Sequence, residues 1–246
     1  MARDERPGDP AVRTLVVVPA FNEEGNVGHL LRELETLPLP LDAVVVDDGS
    51  VDGTAAAAAA AGARVLRLPF NCGIGAAVQT GLRLALDEGY ARTARLDGDG
   101  QHDPRALAAL LAPIDAASAD MVIGSRYLDR QGFQSSPARR VGSRWFSALL
   151  RVVCGQRISD PTSGLWAANA RATAILAAEY ASDYPEVDAV VHLVRQGCTI
   201  AEVPVVMRAR HAGRSSIDAP RALYYMLKVT IALAAGRLRR AVPTGG

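Results

Sequence analysis

Asp97-Gly98-Asp99-Gly100-Gln101-His102 directly follows the segment Thr93-Ala94-Arg95-Leu96. Two carboxylates one residue apart, spaced by glycines at the end of a strand, can converge on one divalent cation. Aspartate and the amide oxygen of glutamine are hard oxygen ligands, suited to Mg2+ or Mn2+ and poorly suited to zinc. Such an ion commonly serves a phosphate, so the chemistry suggested is that of a nucleotide-linked substrate. A plain turn accounts for the same residues, because Asp and Gly both tolerate turn geometry. The stretch alone does not choose between the two.

Other polar motifs recur at comparable places. Val18-Pro19-Ala20-Phe21-Asn22-Glu23-Glu24 ends a β-branched run. Asn22 there is a reasonable helix N-cap, with Glu23 and Glu24 at the positive end of the next helix. Val46-Asp47-Asp48-Gly49-Ser50 ends a second run. Adjacent carboxylates repel, and they make sense where one accepts a hydrogen bond from a base or a ribose hydroxyl. Asp52 is expected only to cap the following helix. Asn71-Cys72-Gly73-Ile74-Gly75 lacks the third glycine of a dinucleotide fingerprint, and no Gly-x-x-x-x-Gly-Lys-Ser/Thr loop exists. These glycines serve close backbone approach at a helix start.

The elements that position these motifs follow from the apolar pattern. Thr14–Val18, Ala43–Val46, Arg64–Leu68 and Met121–Ile123 are short, near-continuous β-branched runs, as in strands covered on both faces. Helical stretches lie between them at Glu23–Leu37, Gly53–Ala61, Gly75–Glu88 and Pro104–Ala117. Strand and helix alternate, the signature of an open α/β sheet, where ligands sit beyond the carboxyl ends of the strands. The second half is less regular. Gln131–Pro137 reads as a loop, Arg139–Val153 as a helix, Thr162–Ala168 as a short strand or turn, Pro185–Arg195 as a helix, and Thr199–Arg208 as a strand interrupted by Pro204.

Composition sets the bounds. The 246 residues suffice for one large α/β domain, and the formal net charge of +1 argues against a nucleic-acid partner. Cys72, Cys154 and Cys198 are odd in number and form no Cys-x-x-Cys pair, which suits free thiols in a reducing cytoplasm. Met1–Pro10 has neither the basic start nor the apolar run of a signal peptide. Ala222–Gly236 is the most apolar segment, broken by Lys228 and followed by Arg237, Arg239 and Arg240. It reads as a packed C-terminal helix or as one lying in a membrane interface.

Taken in order, these motifs, together with Gly124-Ser125-Arg126-Tyr127, resemble family 2 glycosyltransferases of the GT-A fold over residues 12–217. Within that family they resemble the dolichyl- or polyprenyl-phosphate sugar synthases most. The resemblance implies a single α/β domain, a Rossmann-like, mostly parallel sheet with helices on both faces. It implies a flexible N-terminus over 1–11, a nucleotide-sugar half over 12–124, an acceptor half over 125–217 and a C-terminal helix over 218–246. The implied reaction is transfer of a sugar, with inversion, from a nucleotide diphosphate sugar.

The same resemblance assigns roles. Ala20, Asn22 and Glu23 belong to the nucleotide pocket, Asp48 to the base contact, and Pro19, Asp47, Gly73, Gly98, Ser125 and Arg126 to the surrounding substrate site. Asp97 belongs near the ribose and pyrophosphate, and Asp99 and Gln101 hold Mg2+ or Mn2+. Asp160-Pro161-Thr162-Ser163-Gly164 lines the junction of donor and acceptor, and Glu186-Val187-Asp188 is the acidic helix start. Asp188 is the candidate general base, with Asp160 second. One departure concerns the lysine that phosphate-acceptor synthases carry after a basic strand end. Ser216 stands in its place, and Arg210 and Arg214 are the replacements as planar phosphate binders.

The acceptor is then a polyprenyl phosphate or other lipid-linked saccharide, whose phosphate needs no base, or a hydroxyl, which needs one. The expected location is the cytoplasm, peripheral on the inner face of the membrane, with a membrane surface or membrane protein as partner. A homodimer is compatible with the sequence. A sugar nucleotidyltransferase and a non-catalytic binding module are the competing classes. The first is disfavoured because Pro19–Glu24 is acidic where such enzymes carry a basic glycine-rich loop.

Overall fold

The computed structural model describes residues 13–129, 137–181, 185–208 and Thr230. β1 (Thr14–Ala20), β2 (Leu41–Asp47), β3 (Arg64–Arg67) and β5 (Met121–Ser125) form where the β-branched runs place them, and β4 (Arg92–Arg95) is the strand before Asp97. All seven residues of β1 are buried. Val16 and Val18 pack into one core while Leu15 and Val17 pack into another, so both faces of the strand are covered.

The helices follow the same logic. α1 (Glu24–Glu35) buries Val27, Leu30, Leu31 and Leu34, one face of a 3.6-residue period. α2 (Thr54–Ala60) is the alanine run. α3 (Ile74–Asp87) lies close on β1 because Gly81 has no side chain: a Cβ there would come within 2.3 Å of a Val17 methyl. α4 (Leu107–Asp115) follows a 3-10 turn over Pro104–Ala106, capped by Asp103. α5 (Pro137–Cys154), β6 (Trp166–Asn169), α6 (Ala170–Ala178), α7 (Pro185–Arg195) and β7 (Ile200–Pro204) complete the described elements.

The sheet order is β3-β2-β1-β4-β6-β5-β7. Every neighbouring pair is parallel except those of β6, which runs antiparallel to β4 and β5. α1, α2 and α4 share a core on one face, and α3, α5, α6 and α7 share one on the other. Chain order reverses between β1 and β4, and ligands in such sheets bind beyond the strand ends at that switch point. Ala20 and Asp97 lie there. β7 is an edge strand, which is why Pro204 can end it without breaking a ladder.

Helix α6 was not anticipated from the sequence. Asn169 ends β6 and also caps α6, its side chain accepting from the Ala172 amide at 2.9 Å. No turn residues therefore mark the boundary. The segment 218–246 lies outside the described residues apart from Thr230, as do residues 1–11.

Candidate active site

Three loops meet at the carboxyl ends of β1, β2 and β4. Asn22, after β1, does not cap a helix as expected. Its backbone is left-handed, at φ 55°, and α1 starts beyond Glu23 without a side-chain cap. Instead the Asn22 amide donates to the Ser50 hydroxyl at 2.9 Å, and its side-chain oxygen accepts from the Val51 amide at 3.0 Å. Asn22 thus laces the first loop to the second. Glu23 donates its amide to the Thr54 hydroxyl at 2.8 Å, and its carboxylate takes the Asn26 side-chain amide at 2.6 Å. Asp52 has its expected local role, accepting from the Thr54 amide at 3.0 Å, and also from the Glu24 amide at 3.3 Å.

The paired aspartates after β2 divide their work. Asp47 is fully buried, with the Ser50 amide on one oxygen and Arg67 Nε 3.3 Å from the other. Asp48 accepts the Cys72 amide at 2.7 Å and the Gly73 amide at 2.9 Å, one on each oxygen. The loop after β2 is thereby clamped onto the one between β3 and α3. Gly49 permits this: at φ +71° its missing Cβ would lie 2.5 Å from the Phe70 carbonyl carbon. Pro19 and Ala20 supply backbone, the Pro19 carbonyl accepting from Gly98 and the Ala20 carbonyl from Asp48.

Beyond β4, Asp97 is the centre of a charged cluster. Arg95, only 1 % exposed, reaches Asp97 Oδ1 with Nε at 3.1 Å and Nη2 at 2.9 Å, and Glu186 Oε1 with Nη1 at 2.8 Å. Burial would depress the guanidinium, but the two carboxylates more than offset it and hold its pKa well above the usual value. His102 lies with Nε2 4.0 Å from Asp97 Oδ2, and its buried Nδ1 has no hydrogen-bond partner among the described residues. Burial keeps this imidazole below its ordinary pKa against the pull of Asp97 and Asp99. Tyr180, beside Arg95, is pushed up to about 12 by burial. Gly164 closes over the carboxylate, where a Cβ would fall 2.1 Å from Asp97 Oδ2.

Asp99 and Gln101 form one tight turn, the Gln101 amide donating to Asp99 Oδ1 at 3.0 Å. Among the described residues no three His, Cys, Asp or Glu side chains gather into a metal cage. One carboxylate and one amide, with Asp97 adjacent, fit an ion that keeps waters and takes its other oxygens from substrate phosphates. The chain after β7 returns to this loop. His102 bridges Met207, and the Arg208 amide donates to the Gln101 carbonyl at 2.8 Å. Arg208 also pairs with Glu33 at 2.7 Å and Asp103 at 2.9 Å. Arg210 and Arg214 lie outside the described residues.

On the acceptor side the expected residues are tied into the protein's own contacts. Asp160 is fully buried and gripped by Arg126, with Nε at 2.5 Å, Nη2 at 2.6 Å and the amide at 3.1 Å. It is a poor base, because its oxygens are occupied and no solvent reaches it. Ser125 is also buried, its hydroxyl 2.6 Å from that of Ser159, so it joins the two loops. Glu202 completes this knot by accepting the Ser159 and Asp160 amides. Asp188 is half-buried, and burial raises its pKa; the charges acting on it are His192, Glu179 and Arg195, none from the donor loops. Glu186, two residues earlier, is the acid of α7 that joins Asp97.

Sequence reasoning gave Arg95, Glu186 and His102 no role of their own. Arg95 left a signal, an arginine in an otherwise covered central strand.

A family model described as glycosyl transferase family 2 matches residues 15–174, more than half of the chain. The chain belongs to that family. It is 32 % identical over 242 residues to a polyprenol monophosphomannose synthase of Mycolicibacterium smegmatis, covering 94 % of this chain and 91 % of that one. It is 32 % identical to an undecaprenyl-phosphate mannosyltransferase of Micrococcus luteus, covering 84 % and 88 %. Among solved structures, glucosyl-3-phosphoglycerate synthase of Mycobacterium tuberculosis, in complex with Mn2+, UDP and glucosyl-3-phosphoglycerate, superposes with a TM-score of 0.72. That match covers 96 % of this chain and 85 % of the other at 23 % identity, a likeness of fold. Family 2 membership sets aside the nucleotidyltransferase class.

Proposed function

We propose that this glycosyltransferase moves a sugar, with inversion, from a nucleotide diphosphate sugar to a polyprenyl phosphate. The observation that carries the choice of acceptor is the state of the acceptor-side acids. Asp160 is held by Arg126, Glu186 by Arg95, and Asp188 stands among Glu179, His192 and Arg195. A hydroxyl acceptor needs a carboxylate to take its proton, an effect worth about 10²–10⁴-fold. A phosphate oxygen is already nucleophilic and needs none. The names of the mycobacterial and Micrococcus relatives support the same acceptor class.

On the donor side, Asn22, Asp47 and Asp48 shape the floor of the nucleotide pocket, and Asp48 keeps the Cys72–Gly73 loop in place beside the base. Asp99 and Gln101 would hold Mg2+ or Mn2+, which would neutralise charge on the departing diphosphate. Asp97, fixed by Arg95, orients the ribose and pyrophosphate. Arg208 anchors the start of the basic segment that carries Arg210 and Arg214, the proposed contacts to the acceptor phosphate. Asp99→Ala should abolish metal-dependent sugar transfer to undecaprenyl phosphate and leave the melting temperature near that of the wild type. Full transfer by this variant in chelator would remove the metal from the reading.

A lipid acceptor requires access to a bilayer, and no helix among the described residues is long and apolar enough to cross one. The outward face of α5 supports peripheral docking. Val141, Trp145 and Val152 are exposed on it, interleaved with exposed Arg140, Arg144 and Arg151, and α5 contains no acid. Such a face can sit in an anionic headgroup layer. Co-sedimentation with anionic vesicles should fall on Trp145→Glu, and unchanged binding would retire this docking face.

A further inference from the structure

We propose that Arg95 is a positioning residue: it locks Asp97 of the donor loop to Glu186 of α7 and so holds the two sides of the site in one register. The inference rests on the reading of Asp97 as donor-facing given above. Arg95 shares a strand face with Thr93, whose hydroxyl lies 2.8 Å from that of Thr173 in α6. The neighbours on that side include buried Trp166, Tyr180 and Val187, an apolar environment where leucine or methionine would fill the space. A guanidinium buried there costs several kcal/mol unless it is well paired. Its pairing is specific.

Two nitrogens, Nε and Nη2, converge on the single oxygen Oδ1 of Asp97, while Nη1 alone takes Glu186. The fork thus fixes the rotation of the Asp97 carboxylate and leaves Oδ2 toward His102 and Gly164. The three side chains carry one net negative charge. Without the arginine, two partly buried carboxylates would lose the cation between them and repel, and Asp97 would turn away. Lysine at the same place offers a point charge without the planar fork. α7 is joined to the rest of this cluster through Glu186, so Arg95 also ties the acidic helix start to the end of β4.

The test compares wild type, Arg95→Lys, Arg95→Met and the double variant Arg95→Met/Glu186→Met. Melting temperature, calorimetric affinity for UDP and GDP with Mn2+, and kcat and KM for sugar transfer are read for each. Arg95→Met should lose stability, since the partly buried Asp97 and Glu186 both lose their counter-ion. The double variant should regain part of it, because Glu186 leaves with its counter-ion while Asp97 stays without one. Its affinity for the preferred nucleotide should nonetheless stay about tenfold or more below wild type, with kcat reduced as well, the scale expected of a displaced positioning group. Arg95→Lys should fall between. A double variant that recovers melting temperature, affinity and kcat to within about twofold of wild type would make Arg95 merely structural and overturn the proposal. Should the double variant stay unstable, Arg95→Lys decides, and wild-type affinity and kcat in it overturn the proposal equally. Absence of transfer by the wild type would instead defeat the glycosyl-transfer reading, while the nucleotide-affinity ratios still judge Arg95.

Discussion

Asp160→Asn separates a structural carboxylate from a catalytic one. The wild-type side chain is completely buried and accepts three contacts from Arg126 at 2.5, 2.6 and 3.1 Å, with the Thr162 hydroxyl at 3.3 Å. Asparagine keeps the shape and one acceptor but removes the charge, leaving the Arg126 guanidinium buried without its counter-ion. Breaking a buried pair in this way costs about 3–5 kcal/mol. Arg126 retains the Thr162 hydroxyl at 3.1 Å and the Tyr127 ring at 5.5 Å, so the lower end applies. A loss of about 3 kcal/mol corresponds to a fall of roughly 6–12 °C in a domain of this size.

Thermal or urea melts measure that loss, and transfer is assayed on the same samples well below the transition. Arg126→Met should destabilise by a similar amount, and the double variant by clearly less than the sum of the two. Transfer by folded Asp160→Asn should stay within a few-fold of wild type. A general base predicts the reverse, an unchanged melt with transfer down by about 10²–10⁴-fold. A melting temperature lowered by less than about 2 °C would refute the buried-pair reasoning.

Three further outcomes are expected. Burial would raise the Asp103 pKa, but Arg105 and Arg208 outweigh it and hold the carboxyl at about 2. Its unfolded value is about 3.9, so Asp103 contributes stability above about pH 4 that is lost as pH falls towards 2. Asp103→Asn should therefore flatten the acid limb of a stability profile in that window, by roughly 1–2 kcal/mol; a limb identical to wild type would contradict the pairing. Gly164→Ala places a Cβ 2.1 Å from Asp97 Oδ2 and must displace that carboxylate. Its donor KM should rise about tenfold or more with the fold retained, and an unchanged KM would place Asp97 outside the donor site. Asp188→Asn should leave transfer within about twofold of wild type, whereas a loss of 10²-fold or more would make Asp188 the base and the acceptor a hydroxyl.

How far the sequence could be read depended on the kind of force involved. β1, β2 and the loops after them were legible because burial on both faces writes near-continuous Val runs, and chemistry adds polar residues only where each run stops. β6 overlaps the short strand or turn expected over Thr162–Ala168, but helix α6 was not legible, since Asn169 serves both elements and no turn residue separates them. The partners of Ser125 and Asp160 were illegible for another reason. A motif records which residue types recur together and says nothing of what each one touches. The 2.6 Å contact to Ser159 and the grip of Arg126 join residues 34 apart in sequence.

The acids of α7 show where local sequence stops being decisive. Glu186 and Asp188 are two residues apart, about 200° around a helix, so they cannot face the same ligand. Either could have been the acid turned to the donor loop. The choice is made by packing: Val187, Val190 and Val191 are buried and set the rotation of the helix. At that rotation Glu186 meets Arg95 at 2.8 Å, while Asp188 falls under the influence of Glu179, His192 and Arg195. Arg95 in turn reaches this side of the sheet because it is in phase with Thr93 on β4. A charge at one strand position and the phase of one helix, separated by 91 residues of sequence, therefore decide together which acid enters the cluster. That pairing takes up Glu186 as a counter-ion to Arg95, as Arg126 takes up Asp160.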